Sequence, residues 1–203
     1  MTRIKMCGLR RDEDIAAAGE LLPEFIGFVF FPGSRRCVTP DAAAALRRKL
    51  SPDITAVGVF VDEGPETVAR LLEGGIIDMA QLHGHEDAAY IARLRQLTER
   101  PLIQAFRIRS AADAEAATAS PADHILLDAG AGDGKTFDWN LLSGLSRPYF
   151  LAGGLNPENV SAAVRDLRPW AVDVSSGIET DGYKDITKMR AFVRAVRERD
   201  DVS

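Results

Sequence analysis

Cysteine is scarce in this chain, with only Cys7 and Cys37 among 203 residues. Two thiols cannot build a disulfide scaffold, and both read as free, which fits a reducing compartment. A basic excess is also missing. Twenty-five lysines and arginines stand against 30 acidic residues, for a net charge of −5. Proteins that grip a duplex neutralise its phosphates with a basic surface, so no nucleic-acid partner is expected. Long hydrophobic runs are absent too. The longest, such as Ile26 to Phe31, is far too short to span a bilayer, and Met1-Thr2-Arg3-Ile4-Lys5 lacks the apolar stretch of a signal peptide. No membrane partner is expected, and the expected setting is cytoplasmic. No low-complexity linker divides the chain.

What is present is ordinary for a globular protein: 46% apolar and 27% charged residues, enough to bury about 70% of the unfolded surface without a staple. β-Branched or aromatic runs alternate with alanine- and leucine-rich helical segments. Strands are predicted at Thr2–Met6, Phe25–Phe31, Thr55–Val61, Ile77–Leu82, Leu102–Phe106, His124–Leu127, Tyr149–Ala152 and Ala171–Val174. Helices follow at Asp12–Leu21, Asp41–Leu50, Pro65–Leu72, Asp87–Leu97, Ala111–Ala119, near Asp138–Leu142, at Pro157–Leu167 and at Ile186–Arg199. Thr39 and Pro40 form a start signal for the second helix.

Strict alternation predicts an α/β fold with a parallel sheet and right-handed crossovers. Eight units predict a closed (β/α)8 TIM barrel of the phosphate-binding type, in one domain over residues 1–203. The alternative is an open doubly wound sheet, whose first turn often carries G-x-G-x-x-G. Here that turn reads Cys7-Gly8-Leu9-Arg10. Eight units leave about 25 residues each, below the roughly 250-residue norm for such barrels. A second domain or large lid is therefore not expected.

In such a barrel the active site lies at the C-terminal ends of the strands. Gly153-Gly154 follows the seventh strand and Ser175-Ser176-Gly177 the eighth. Each pair reads either as a tight turn or as a phosphate cradle of backbone N–H groups. Their joint position favours the cradle, and one such pair of loops implies one phosphate. Cys7 ends the first strand on the same side as Lys5. A lysine inside a barrel must be paired or solvated, and Asp173 on the neighbouring eighth strand is its natural partner, in a core ion pair or in a site. A nearby cation would lower the Cys7 pKa and suit it to act as a base. Asp128, behind an apolar strand, suits a general acid in a partly dry site. The loop Ala129–Lys135 after it is polar and could close over a ligand, but it lacks the glycine spacing of a Walker A loop. Arg35 and Arg36 suit a carboxylate or phosphate, or are solvated loop charges. His83 and His85 flank Gly84 without a third convergent ligand, so no metal is expected. Asp62-Glu63 reads as solvated surface.

These pieces coincide with a family pattern. The stretches Lys5-Met6-Cys7-Gly8-Leu9, Ser34-Arg35-Arg36-Cys37-Val38, Gln81-Leu82-His83-Gly84, Leu126-Leu127-Asp128-Ala129, Leu151-Ala152-Gly153-Gly154-Leu155-Asn156-Pro157 and Asp173-Val174-Ser175-Ser176-Gly177-Ile178-Glu179 follow one another almost throughout the chain. In order and spacing they resemble the phosphoribosylanthranilate isomerases of tryptophan biosynthesis. Cys37 and Asp181 depart from the family's usual aromatic and proline.

The resemblance implies an Amadori rearrangement. N-(5-phosphoribosyl)anthranilate becomes 1-(2-carboxyphenylamino)-1-deoxyribulose 5-phosphate, with no cofactor, metal, nucleotide or flavin. It assigns the base to Cys7 and the acid to Asp128, on roughly opposite sides of the mouth. It implies substrate contacts from Arg36, Asp173 and His83, with Arg36 toward the anthranilate end and Phe30 or Phe31 lining the aromatic pocket. It places the phosphate at Gly153, Gly154, Ser175, Ser176 and Gly177. The implied partner is a small phosphosugar, with neighbouring tryptophan-pathway enzymes as candidate protein partners. Rival readings are a related phosphosugar barrel, such as ProFAR isomerase or indole-glycerol-phosphate synthase, and a non-catalytic phosphate-binding barrel.

Overall fold

Alternate residues of a strand face opposite sides, and this period of two divides the apolar content of the chain between two compartments. The computed structural model describes residues 1–128, 142 and 145–200. Eight parallel strands close into a barrel in the order β1(Arg3–Cys7), β2(Phe25–Val29), β3(Thr55–Phe60), β4(Met79–Leu82), β5(Leu102–Arg107), β6(His124–Asp128), β7(Tyr149–Ala152) and β8(Ala171–Val174). The ring shuts where β8 pairs with β1, with Lys5 opposite Asp173. Around it run α1(Asp12–Leu21), α2(Pro40–Arg47), α3(Pro65–Glu73), α4(Ala88–Arg95), α5(Ala111–Thr118), α6(Val160–Leu167) and α7(Ile186–Asp200). The expected loop Ala129–Lys135 lies outside the described residues, as does the expected helix near Asp138–Leu142 apart from Leu142, which is buried.

Local chemistry starts these helices. Thr39 accepts a hydrogen bond from the Ala42 N–H at 3.2 Å, with Pro40 in the first turn. Asp87 caps α4 through the Tyr90 N–H at 2.8 Å, and Ser110 caps α5 through Asp113. Most boundaries fall within one to three residues of expectation, and three of the shifts have a clear local reason. β2 stops at Val29, not Phe31, because Phe31 opens a turn closed by the Ser34 N–H on its carbonyl at 2.9 Å. β4 starts at Met79, not Ile77, since the Ile76 and Ile77 N–H groups still close the end of α3 on Leu71. α6 starts at Val160, not Pro157, because the Asn156 side chain holds the Glu158 and Asn159 N–H groups in a turn.

A two-stranded hairpin, β9(Glu179–Thr180) and β10(Tyr183–Lys184), sits after β8 and was not anticipated. Asp181 and Gly182 both have positive φ, 51° and 80°. That is the geometry of a two-residue hairpin turn, for which Asp-Gly is a strong sequence signal.

The outward strand faces and the helices enclose most of the core. Inside the barrel, Phe25, Val57, Met79, Ile103, Leu126 and Phe150 form a second apolar cluster. Trp170 packs below it, 5.0 Å from Phe150 and 4.9 Å from His124, with the Arg3 guanidinium 4.3 Å from its ring. One step toward the C-terminal rim the inward residues shrink: Phe25 gives way to Gly27, Ile103 to Ala105 and Phe150 to Ala152. This loss of side-chain volume opens a cup above an apolar floor.

Candidate active site

The cup is a cavity of about 710 Å³ at the C-terminal rim. Cys7 reaches it from β1 and Asp128 from β6, three strand steps apart through β8 and β7. Gly27 makes room for the thiol, since a Cβ there would lie 2.9 Å from Sγ. Val29 and Val59 complete an apolar collar around Cys7.

Lys5 lies below Cys7 and is wholly buried. Its ammonium sits 3.0 Å from both carboxylate oxygens of Asp173, which itself faces the cavity. Burial alone would push the Lys5 ammonium down, yet Asp173 and Cys7 hold it above the usual lysine range. The Lys5 cation does pull the Cys7 thiol down, as expected, but the thiol as a whole ends up raised. Burial pushes the thiol up, and Asp173 adds to the rise; Lys5 and Lys184 oppose it without prevailing. Lys5 is the largest of the opposing influences, but the loss of water around the thiol outweighs it.

Arg36 lines the cavity, as expected, but half of its fork is occupied. Its Nε and Nη2 donate to Glu179 at 2.6 and 2.8 Å. Arg35 and Lys184 donate to the same carboxylate at 2.8 and 2.7 Å. Burial would raise the Glu179 carboxyl, but the donors from Arg36 and Lys184 hold it at about 2. Lys184 also reaches the Ser175 carbonyl at 2.9 Å. In the sequence Glu179 closes the family-like stretch after the eighth strand, and neither it nor Lys184 carries a visible role there. The Asp181-Gly182 turn that folds them together was the signal available.

His83 and Gly84 border the cavity from the end of β4, and His83 Nε2 lies 3.4 Å from Asp128 Oδ2. Arg107, paired with Asp128 in the β5–β6 register, is a further cation there. His85 points away and is fully exposed, paired with Asp62 at 3.0 Å. Asp62 is thus more engaged than a plain solvated charge. Among the described residues no group of three or more His, Cys, Asp or Glu could hold a metal ion. Neither phenylalanine of loop two lines the cavity, contrary to expectation. Phe30 is buried against Phe60 with ring centroids 5.2 Å apart, and Phe31 is turned to solvent by its loop.

Gly153 and Gly154, with φ of 98° and 66°, border the cavity opposite the β2 rim, beside Ser175 and Ser176. The Ser175 hydroxyl donates to the Cys7 carbonyl at 3.0 Å, so its side chain ties β8 to β1. Gly177 does not itself line the cavity. A Cβ there would lie 2.0 Å from the Leu155 carbonyl oxygen, so its place is needed to let loops seven and eight meet.

A closed parallel barrel with one rim cavity at the C-terminal ends of its strands, flanked by two glycine-rich loops, is a (β/α)8 barrel of the enzyme kind. The family model described as N-(5'phosphoribosyl)anthranilate (PRA) isomerase matches residues 4–195. The N-(5'-phosphoribosyl)anthranilate isomerase of Endomicrobium trichonymphae is 41% identical over 97% of this chain and 99% of its own. The crystal structure of phosphoribosyl anthranilate isomerase from Thermotoga maritima superimposes with a TM-score of 0.90 at 36% identity, over 98% of this chain and all of that one. A second solved isomerase, in complex with reduced 1-(o-carboxyphenylamino)-1-deoxyribulose 5-phosphate, gives a TM-score of 0.88 at 35% identity, over 98% and 100% of the two chains. The chain belongs to the N-(5'-phosphoribosyl)anthranilate isomerase family.

Proposed function

We infer that this barrel isomerises N-(5-phosphoribosyl)anthranilate to 1-(2-carboxyphenylamino)-1-deoxyribulose 5-phosphate in tryptophan biosynthesis, with Cys7 as base and Asp128 as acid. The observation that carries the assignment of roles is the placement of one thiol and one carboxyl across a single cavity. An aminoaldose must gain a proton on its ring oxygen and lose one from C2, at different points of the same sugar. Asp128 gives the first proton, opening the furanose to a protonated Schiff base. Cys7 takes the C2 proton, giving an enolamine. C1 then gains a proton as the C2 hydroxyl loses one, and the aminoketose results with no net proton change.

The raised thiol means that Cys7 rests protonated and must ionise to act. Lys5 beside it stabilises the thiolate when it forms. The sugar phosphate is assigned to the backbone of Gly153 and Gly154 with Ser175 and Ser176, an anion cradle of the kind loops seven and eight form in such barrels. Gly177 serves by letting those loops pack. The anthranilate carboxylate is assigned to the part of the Arg36 fork that Glu179 does not use, and the substrate amine to Asp173. His83 meets the substrate beside Asp128.

Loss of anthranilate fluorescence from freshly made phosphoribosylanthranilate tests the reading. Cys7→Ser and Asp128→Asn are each expected to lower kcat by at least about a hundredfold, with product still bound. Turnover near wild type in either variant removes that residue from the mechanism, and no decay above the uncatalysed rate with the intact protein refutes the activity.

A further inference from the structure

Gln81, on β4, faces the barrel interior and is 1% exposed. Its Nε2 lies 2.9 Å from His83 Nδ1. The other ring nitrogen, Nε2, faces Asp128 Oδ2 at 3.4 Å. Gln81 Oε1 is buried without a hydrogen-bond partner among the described residues. Gln81, His83 and Asp128 thus form a row along one wall of the cavity.

The orientation of the Gln81 amide decides where the imidazole carries its proton. With the amide nitrogen donating, Nδ1 must offer a lone pair, and a neutral ring then has its hydrogen on Nε2, toward Asp128. With the amide reversed, Nδ1–H would donate to Oε1, and the bare Nε2 lone pair would face a carboxylate oxygen. That second arrangement is repulsive whenever Asp128 is ionised.

We propose that Gln81 is a positioning residue that holds His83 as the Nε2–H tautomer, so that the ring donates to Asp128 as this carboxyl gives up its proton. The proposal rests on the reading of Asp128 as the acid. Negative charge grows on Asp128 while the furanose oxygen takes the proton. A donor already in place meets that charge and stabilises the transition state more than the ground state. His83 keeps its own proton throughout, so no bond to it forms or breaks. A separation of 3.4 Å is long for such a bond, as acid–base contacts in unliganded sites often are before they tighten around substrate.

The test is nitrogen NMR of the imidazoles in the whole protein, which has three histidines, with His83 assigned by its loss in His83→Gln. Recorded at a pH where the ring is neutral, wild-type His83 should be protonated on Nε2. Gln81→Leu should mix the tautomers and lower kcat about threefold to thirtyfold while KM stays within about twofold. Gln81→Glu, whose carboxylate attracts an Nδ1 hydrogen, should show Nδ1 protonated. A wild-type ring protonated on Nδ1 alone, or a Gln81→Leu enzyme with unchanged tautomer and kcat, overturns the proposal. Should Gln81→Leu not fold, the wild-type tautomer and Gln81→Glu still decide. A wrong tautomer with a slow Asp128→Asn enzyme removes only the role of Gln81. A fast Asp128→Asn enzyme removes the acid assignment and, with it, the catalytic part of this proposal.

Discussion

Cys7, Lys5 and Asp173 form one electrostatic unit, and the sign of each contribution can be measured. Asp173 holds Lys5 charged and also pushes the Cys7 thiol up. Removing its charge leaves Lys5 as an unopposed cation beside the thiol. Asp173→Asn is therefore expected to move the midpoint of Cys7 alkylation to lower pH than in wild type, read from the rate of iodoacetamide labelling against pH. A midpoint that stays or rises contradicts this arrangement. The Lys5–Asp173 pair was legible in the sequence because strand alternation and ring closure alone bring the two side chains together. The elevated thiol was not, because it depends on how completely the collar of Val29 and Val59 removes water. Arg36 was legible as a site residue. Its partner Glu179 was not, since nothing local links positions 143 residues apart.

The β9–β10 hairpin is a small element with a large electrostatic content. It carries Glu179 on one strand and Lys184 on the other, in register across the ladder. The carboxylate they present at the end of β8 holds both Arg35 and Arg36. Gly182 lies in the turn at φ 80°, a conformation that strains a β-branched residue. Gly182→Val is therefore expected to loosen the hairpin and raise KM about tenfold with a smaller change in kcat, since it disturbs the arginine proposed to bind substrate rather than a proposed proton carrier. Steady-state kinetics on the purified variant check this, and an unchanged KM separates the hairpin from substrate binding. Helix starts were largely readable, as at Thr39, because caps are local chemistry. Strand ends were less so: the turn at Phe31 and the Asn156 side-chain bonds override patterns that otherwise continue. The apolar run through Phe30 and Phe31 suggested an aromatic pocket wall, but the turn sends one ring into the core and the other to solvent.

Across the whole barrel, acid is expected to act at both ends. At the rim, burial opposes ionisation of Glu179, but its donors hold the carboxyl at about 2, below the ordinary glutamate range. A depressed carboxyl adds stability that is present above its unfolded value and lost as pH falls toward the folded one. That contribution is roughly 3 kcal/mol and disappears between about pH 4.5 and 2. At the floor, burial pushes His124 down, so protonation favours the unfolded chain below about pH 6.5. Both effects have the same sign. Urea unfolding midpoints should fall from pH 7 downward as the unfolded chain takes up the His124 proton, and fall further between about pH 4.5 and 2 as Glu179 is protonated; His124→Gln should flatten the upper part of that slope. A wild-type midpoint that rises on acidification contradicts both assignments. The eightfold alternation of strands and helices made the barrel legible. The taper that hollows it was written in the same strands, as Phe25 to Gly27 and Phe150 to Ala152, but side-chain size becomes a cavity only once closure sets those positions at one height. No helix among the described residues is long and apolar enough to cross a membrane.

The sealed floor has a consequence for traffic. With Phe25, Phe150 and Trp170 filling the N-terminal end, the described residues make the cup a cul-de-sac that opens at the rim. Substrate, product, water and any thiol reagent must queue at that opening, and whichever occupies the cup stands between Cys7 and the others. Product and substrate thus exclude each other, and so do product and an alkylating reagent. Occupancy of the enzyme can then be counted through the protection of a single sulfur atom.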